Sequence, residues 1–269
     1  MSTTPFSASV RSEVRKVTST KLWWIMLAGM AGYMAFLAVV MAFSLATAPE
    51  DVAAVAMSDL AIAQSVYTLA PALGYVFPLV MGALAVTGEF RHRTITPTLL
   101  AEPSRGRVLG AKLVVQAGQG ALLGLVGTAA VALAGAGSLA AAGAPVMLGE
   151  SAVWANLAWS VVALALWGVI GVGVGTLVTN QVASVVMILA FTQFVEPILR
   201  MALGAVDAIA WTAKFLPGAA AEALVGSSLY SATGMMELLD RWQGGLVLLA
   251  YALVLAGIGR FTTMRRDVS

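Results

Sequence analysis

Long apolar runs separated by short polar stretches constrain this chain more than any other feature. A bilayer has a hydrocarbon core about 30 Å thick, which takes roughly 20 helical residues to cross. The chain has six apolar runs near that length, and 60% of its 269 residues are hydrophobic while only 10% are charged. Runs of this length in lipid must be helices, because each backbone polar group needs a partner within its own segment. The sequence predicts an all-α integral membrane protein with six transmembrane helices.

The six runs fill most of the chain and predict a single membrane domain over residues 1–269. The expected spans are about residues 22–46, 65–87, 108–134, 153–178, 182–199 and 245–261. Pro71 and Pro78 predict kinks in the second span, because proline frees carbonyl groups that then need other partners. Residues 135–151 are expected to form an outer loop. Residues 201–244 contain apolar pieces too short to cross, so they predict short outer helices between the fifth and sixth spans.

The segment before the first span has the pattern of an amphipathic helix. Val10, Val14 and Val17 recur at helical spacing between residues 7 and 20, and basic residues occupy the other side: Arg11, Arg15 and Lys16. This pattern predicts an N-terminal helix lying in the membrane interface. The alternative is a solvated basic tail that only sets orientation.

A polar island from Gly88 to Lys112 separates the second and third runs and must lie outside the bilayer. It holds five of the 15 Lys and Arg residues and the only histidine, His92. Thr94 can cap a short helix with Pro97 in its third position, where a missing N–H costs nothing. Glu102-Pro103 should end that helix. We call residues 88–112 the docking loop.

Two leucines give the docking loop a second property. Leu99 and Leu100 should be exposed on the short helix, and exposed apolar side chains tend to mark interfaces. The helix is therefore predicted to enter a groove on a soluble partner. The alternative is that the loop's charges only set membrane orientation and bind no partner.

The residues of the docking loop also carry a family resemblance. The loop contains Glu89-Phe90-Arg91-His92, Thr94, Leu99-Leu100, Pro103-x-Arg105 and Ala111-Lys112. It resembles the loop between the second and third helices of ABC-2-type transport permeases, the transmembrane subunits of type V ABC exporters. Phe215-Leu216-Pro217-Gly218 is similar to a segment before the last helix of the same family. Arg93 departs from the family pattern, which often has a small residue or glycine before the threonine.

The resemblance implies a cytoplasmic coupling helix between helices 2 and 3 that contacts a separate ABC ATPase (nucleotide-binding) subunit. ATP and Mg would be bound by that partner, and no cofactor by this chain. A second permease copy or a homologue would complete the transporter. The residues implied in docking to the ATPase subunit are Glu89, Phe90, Arg91, His92, Arg93, Thr94, Leu99, Leu100 and Arg105.

Basic residues decide the expected orientation. The N-terminal segment has four Lys and Arg residues, the docking loop five and the C-terminal end three, while the outer connectors have only Arg200, Lys214 and Arg241. Because Lys and Arg are enriched on the cytoplasmic side of membrane proteins, the docking loop and both termini are expected to be cytoplasmic. The expected location is the plasma membrane.

Four polar residues within the apolar runs are candidates for a translocation path: Gln116, Gln119, Gln193 and Glu196. Glu196 lies beyond the middle of the fifth span, where an ionisable group is costly and should face the bundle interior or a water-filled cavity. Pairing with Arg200 and a role in the substrate path are both open for Glu196. The glutamines fit either a polar cavity or hydrogen bonds between helices.

Several functions are excluded by composition. The chain has no cysteine and one histidine, so it has no thiolate chemistry and no multi-histidine metal site, and its net charge of +2 gives no reason to expect nucleic acid binding. It lacks the glycine-rich P-loop motif that cradles nucleotide phosphates, so it is not expected to be an enzyme that hydrolyses ATP.

The resemblance implies the permease subunit of an ATP-driven exporter, which would move a lipophilic small molecule or drug through the lipid bilayer. A proton-coupled transporter that uses Glu196 and a non-transporting assembly protein are the alternatives.

Overall fold

The computed structural model describes residues 6–47, 57–228, 231 and 237–262, and all structural statements refer to these residues. Their regular secondary structure is entirely helical. In chain order the α-helices are α1 (Phe6–Thr18), α2 (Leu22–Ala46), α3 (Asp59–Tyr67), α4 (Leu69–Leu73), α5 (Val76–Arg91), α6 (Ile95–Ala101), α7 (Arg105–Ala141), α8 (Ser151–Leu177), α9 (Gln181–Ala190), α10 (Glu196–Gly204), α11 (Pro217–Val225) and α12 (Arg241–Phe261). A π-helical turn, Phe191–Val195, joins α9 to α10, and a 3₁₀ helix, Ala210–Phe215, precedes α11.

Five helical stretches are long and apolar enough to cross a membrane. They are α2, α7, α8, the continuous stretch Gln181–Gly204 and α12. The prediction of an all-helical architecture is therefore confirmed for the described residues, and the five stretches support a multi-pass membrane protein. The helix bounds agree closely with the expected first and fourth spans, because those two runs begin and end at abrupt changes in polarity.

The second apolar run is interrupted, and it is not among the five long helices. It contains α3, α4 and α5, with breaks at Thr68 and at Gly74-Tyr75. Each break precedes an expected kink residue by three positions, since Pro71 and Pro78 lie in the following helices. This placement is physically reasonable because proline is tolerated in the first turn of a helix.

The third helix extends beyond the expected loop boundary. α7 has 37 residues and continues to Ala141, so the prediction of an outer loop from residue 135 is wrong for its first seven residues. Gly135 explains the difference, because a Cβ atom at this position would lie 2.7 Å from Val66 Cγ1. The glycine is therefore a close contact between α7 and α3 within a helix, and not the start of a turn.

The core of the bundle is formed by α8, which packs against α5, α7 and α12. Small residues let the backbones approach: a Cβ atom on Gly120 would lie 2.6 Å from the Leu164 carbonyl oxygen, and one on Gly82 would lie 2.9 Å from Gly171 Cα. Trp167, which is buried on α8, stacks on Tyr75 with ring centroids 4.4 Å apart. These contacts fix α5 directly against the centre of the fold.

The N-terminal helix and the short helices before α12 have the expected positions in the sequence. α1 packs against α7, and its valines line an apolar groove together with Trp23 and Leu27. Residues 48–56, between the first two apolar runs, and residues 263–269, which carry two of the three basic residues assigned to the C-terminal end, lie outside the described residues.

Candidate functional site

The docking loop forms the predicted short helix, α6, between α5 and α7. Thr94 precedes the first residue of α6, Pro97 is its third residue, and Glu102 follows the last. Thr94 makes no capping hydrogen bond through its side chain, contrary to the prediction. Arg93 has a φ of 56°, in the left-handed region that favours glycine. The departure from the family pattern at Arg93 thus coincides with a strained turn.

The residues predicted to dock a partner have different surroundings. Leu100 is 78% exposed, while Leu99 is half-buried, so only one of the two leucines is fully exposed as expected. Arg91, His92, Arg93 and Thr94 are exposed, and Phe90 and Arg105 are half-buried. Glu89 is buried, so it is not on the surface where a docking residue was expected.

Glu89 belongs to a group of four charged residues, three of them buried, which we call the basal cluster: Glu13, Lys16, Glu89 and Lys112. The Lys112 ammonium group lies 2.9 Å from Glu13 Oε2, 2.9 Å from Glu89 Oε1 and 2.9 Å from the Ala85 carbonyl oxygen. Lys16 donates hydrogen bonds to Glu13 and Glu89 at 2.5 Å. The basal cluster therefore joins α1, α5 and α7.

The charges of the basal cluster balance, with two carboxylates and two ammonium groups. The Lys112 side chain is fully buried and the Lys16 side chain is 38% exposed. Burial alone would lower the pKa of Lys16, but its hydrogen bonds to Glu13 and Glu89 outweigh burial and raise that pKa above 10.5. Lys16 can thus remain charged beside the two carboxylates.

The basal cluster also contacts α6. Lys16 Nζ lies 3.3 Å from Thr98 Oγ1, a hydrogen bond that connects the short helix to the cluster. The buried Ile95 side chain anchors the first turn of α6. A displacement of α6 would therefore act directly on α1, α5 and α7.

A second charged group, the triad, consists of Glu196, Arg200 and Glu222. Arg200 Nη2 lies 3.0 Å from Glu196 Oε1, and Arg200 Nη1 lies 2.7 Å from Glu222 Oε1. The backbone N–H of Gly218 donates to Glu196 Oε1 at 2.6 Å. Pro217 and Gly218 belong to the family-like segment identified in the sequence, so this segment holds α11 against the triad.

The triad lines a cavity of about 420 Å³. Apolar side chains from α2 and α4, including Met41, Leu69 and Leu73, form much of its wall. Tyr75, Thr68 and Thr192 also line it. Ligand sites are typically mostly apolar with a few polar groups and have volumes of roughly 300–1,000 Å³. The size and lining of the cavity meet both criteria.

The four predicted path residues do not lie together. Gln193 and Glu196 line the cavity, but Gln119 lines the separate groove beside α1. Gln116 is buried in α7, and the backbone around it is in close contact with Gly168 of α8. Of the four residues, Gln193 and Glu196 share a cavity, and Gln116 and Gln119 do not line it.

Sequence reasoning missed three members of the charged groups. No sequence pattern assigns a partner to Glu13 or Glu222, and Lys112 is singled out only as a cytoplasmic charge and as part of the family resemblance. Glu13 and Lys112 lie 99 positions apart, and Arg200 and Glu222 lie 22 apart. One signal was available, since Glu13 occurs on the mostly apolar side of a helix that otherwise carries basic residues.

No model of a known protein family matches the chain, and no curated protein matches its sequence.

Proposed function

We propose that this chain is the membrane subunit of an ATP-driven ABC exporter. In this proposal the chain crosses the plasma membrane six times, the interrupted segment α3–α5 being one crossing, and both termini are cytoplasmic. A separate ABC ATPase binds α6 and hydrolyses ATP with Mg. Two permease subunits together form the path for a lipophilic small molecule.

The observation that carries the proposal is the position of α6. It is a short helix between two long apolar regions, it exposes Leu100, and it contacts the basal cluster through Thr98. A partner bound to Leu100 would move α6 against groups that join α1, α5 and α7. Arg91, His92 and Arg93 are also exposed in the turn before α6. An exposed leucine near two arginines and a histidine has the composition of a binding surface.

Helix α5 connects this surface to the cavity. Tyr75 immediately precedes α5 and lines the cavity, while Glu89 lies in its last turn and belongs to the basal cluster. At about 1.5 Å per residue the two positions are roughly 20 Å apart. Because α5 packs tightly on α8, a push on its α6 end would be transmitted to the cavity end as a rigid movement.

The test compares two leucines of equal exposure. Leu100 and Leu133 are both 78% exposed, but Leu133 lies within α7, away from α6. The tagged chain is purified from membranes of its source organism, and MgATP hydrolysis by the co-purified P-loop ATPase is measured. Leu100→Ala should lower the ATPase affinity about tenfold, as loss of an interface anchor worth ~1.4 kcal/mol does. Leu133→Ala should leave that affinity unchanged.

The proposal fails if no P-loop ATPase co-purifies, or if Leu100→Asp leaves binding and MgATP hydrolysis as they are in the parent protein. Thermal unfolding of each variant shows whether the fold is kept. An ATPase that binds the chain equally well with and without Leu100 would contradict docking through α6.

A proton-coupled transporter remains the second candidate, and one observation favours it. Glu196 is buried, lines the cavity, and has one carboxylate oxygen, Oε2, without a hydrogen-bond partner in the described part of the chain. Reconstituted vesicles separate the two mechanisms. Uptake driven by a pH gradient in the absence of ATP supports proton coupling, whereas uptake that requires MgATP and the ATPase supports the exporter.

A further inference from the structure

The charges around the cavity do not balance. Among the described residues, three charged side chains line it, namely Glu196, Arg200 and Glu222. Two carboxylates and one guanidinium leave a formal charge of −1, in contrast to the balanced basal cluster. An uncompensated charge in a low-dielectric interior is costly, so a buried group of this kind is expected to bind a compensating positive charge.

Unpartnered oxygen atoms give a second, independent indication. The ion pairs of Arg200 with Glu196 and Glu222 are both made to the Oε1 atoms of the carboxylates. The Oε2 atoms of both residues are buried and have no hydrogen-bond partner within that part of the chain. Glu196 is 1% exposed and Glu222 is 6% exposed, so bulk water does not satisfy these oxygens.

The shape and lining of the cavity indicate which kind of cation fits. The described residues contain no group of three or more His, Cys, Asp or Glu side chains that could hold a metal ion. Met41, Leu69 and Leu73 instead provide apolar walls, and the Tyr75 side chain adds an aromatic wall residue. Apolar walls favour a cation whose charge is surrounded by carbon, because its dehydration costs less, and aromatic rings attract such cations.

We infer that the cavity between α2, α4, α10 and α11 binds a lipophilic organic cation, with its charge held by the excess negative charge of Glu196 and Glu222. Binding is a property of this chain alone. The further statement that such cations are the transported substrates rests on the proposed exporter function.

The experiment uses two ions of the same shape and opposite charge. Tetraphenylphosphonium and tetraphenylborate are titrated separately into the purified full-length chain in detergent, and the ratio of their affinities is measured. The two ions differ in their intrinsic affinity for detergent and lipid. The affinity ratio of each variant is therefore compared with the ratio measured for the unmodified chain. No ATPase is needed, so this test is independent of the Leu100 experiment.

Charge-neutralising substitutions give the decisive comparison. Glu222→Gln makes the triad formally neutral and should lower the preference for tetraphenylphosphonium at least tenfold, since unit charges about 4 Å apart interact strongly at reduced dielectric. Glu150→Gln removes an exposed negative charge outside the cavity and should leave the ratio unchanged. The doubly substituted chain, with Glu196→Gln and Glu222→Gln, retains Arg200 and should shift the ratio further toward tetraphenylborate.

A progressive shift in ion preference cannot arise from unfolding, which would lower both affinities together. The inference is overturned if Glu222→Gln leaves the ratio of the two ion affinities unchanged, as the control Glu150→Gln is expected to do. It is also overturned if tetraphenylphosphonium fails to bind a chain whose thermal unfolding shows that it is folded. Either result leaves docking of an ATPase at α6 untouched.

Discussion

At the scale of single residues, Lys112 determines whether the basal cluster is stable. Its side chain is fully buried and pairs with Glu13 and Glu89. Lys112→Met would leave two buried carboxylates with Lys16 as their only ammonium partner among the described residues. Breaking a buried ion pair by removing one member costs about 3–5 kcal/mol. We therefore expect a clear fall in the thermal unfolding midpoint of the purified protein.

Two further variants show whether charge is the cause. Lys21→Met also removes a lysine, but from an exposed position, and should change the midpoint little. Adding Glu13→Gln to Lys112→Met removes one unpaired carboxylate and should recover at least half of the loss. If the double variant is less stable than Lys112→Met alone, charge imbalance is not the reason for the defect.

Residue types were predictable from the sequence, but most of their partners were not. Leu100 could be predicted to be exposed, because it belongs to the polar docking loop and not to one of the apolar runs. The pairing of Lys112 with Glu13 could not be predicted, because it depends on how α1 lies across α7. The same limit applies to Glu222, whose role follows only from the position of α11 beside α10.

At the scale of helices, the contact between α5 and α8 is the one on which the proposed transmission of movement from α6 to the cavity depends. Gly82 lies so close to Gly168, Gly171 and Val172 that a Cβ atom would meet backbone atoms of α8. Backbone atoms cannot rotate away as a side chain can. The two helices would have to separate to accept any other residue at this position.

We predict opposite effects for alanine at two helical glycines. Gly82→Ala should destabilise the protein by about 1–3 kcal/mol, the usual cost of overpacking a core. Gly118→Ala, on α7, adds a Cβ atom that meets nothing within 4 Å, so it should stabilise the protein by up to about 1 kcal/mol through helix propensity. The unfolding midpoints of the two variants should therefore lie on opposite sides of the parent value. Equal shifts in the same direction would show that α5 and α8 are not in this close contact.

Helix positions were predictable where composition changes sharply, and less so where packing decides. α2 and α8 follow their apolar runs because lipid or protein surrounds nearly every residue of them. α7 continues past Gly135 because a neighbouring helix needs a glycine there, and a sequence pattern does not distinguish that glycine from a turn. The breaks at Thr68 and Gly74 were expected only as proline kinks, since the exact residue depends on tertiary contacts around Tyr75.

At the scale of the whole molecule, the two charged groups lie near opposite ends of α5. The basal cluster joins the helices next to α6, and the triad joins α10 to α11 beside the cavity. Only the first is electrically balanced. In the proposed function, the end beside α6 would receive the mechanical input and the end beside the cavity would hold the charged ligand, with a closely packed helix between them.

The proposed orientation can be tested with one residue before α7 and one after it. Helix α7 is 37 residues long. At about 1.5 Å per residue it extends roughly 55 Å, more than the ~30 Å hydrocarbon core, so Ser104 and Ser151 should lie on opposite sides of the membrane. Both serines are exposed, and the natural chain has no cysteine. Ser151→Cys should react with a membrane-impermeant maleimide in intact cells, and Ser104→Cys only after permeabilisation. The opposite pattern would place α6 outside the cell, out of reach of any cytoplasmic ATPase. Labelling of both cysteines from the same side would show that α7 does not cross the membrane.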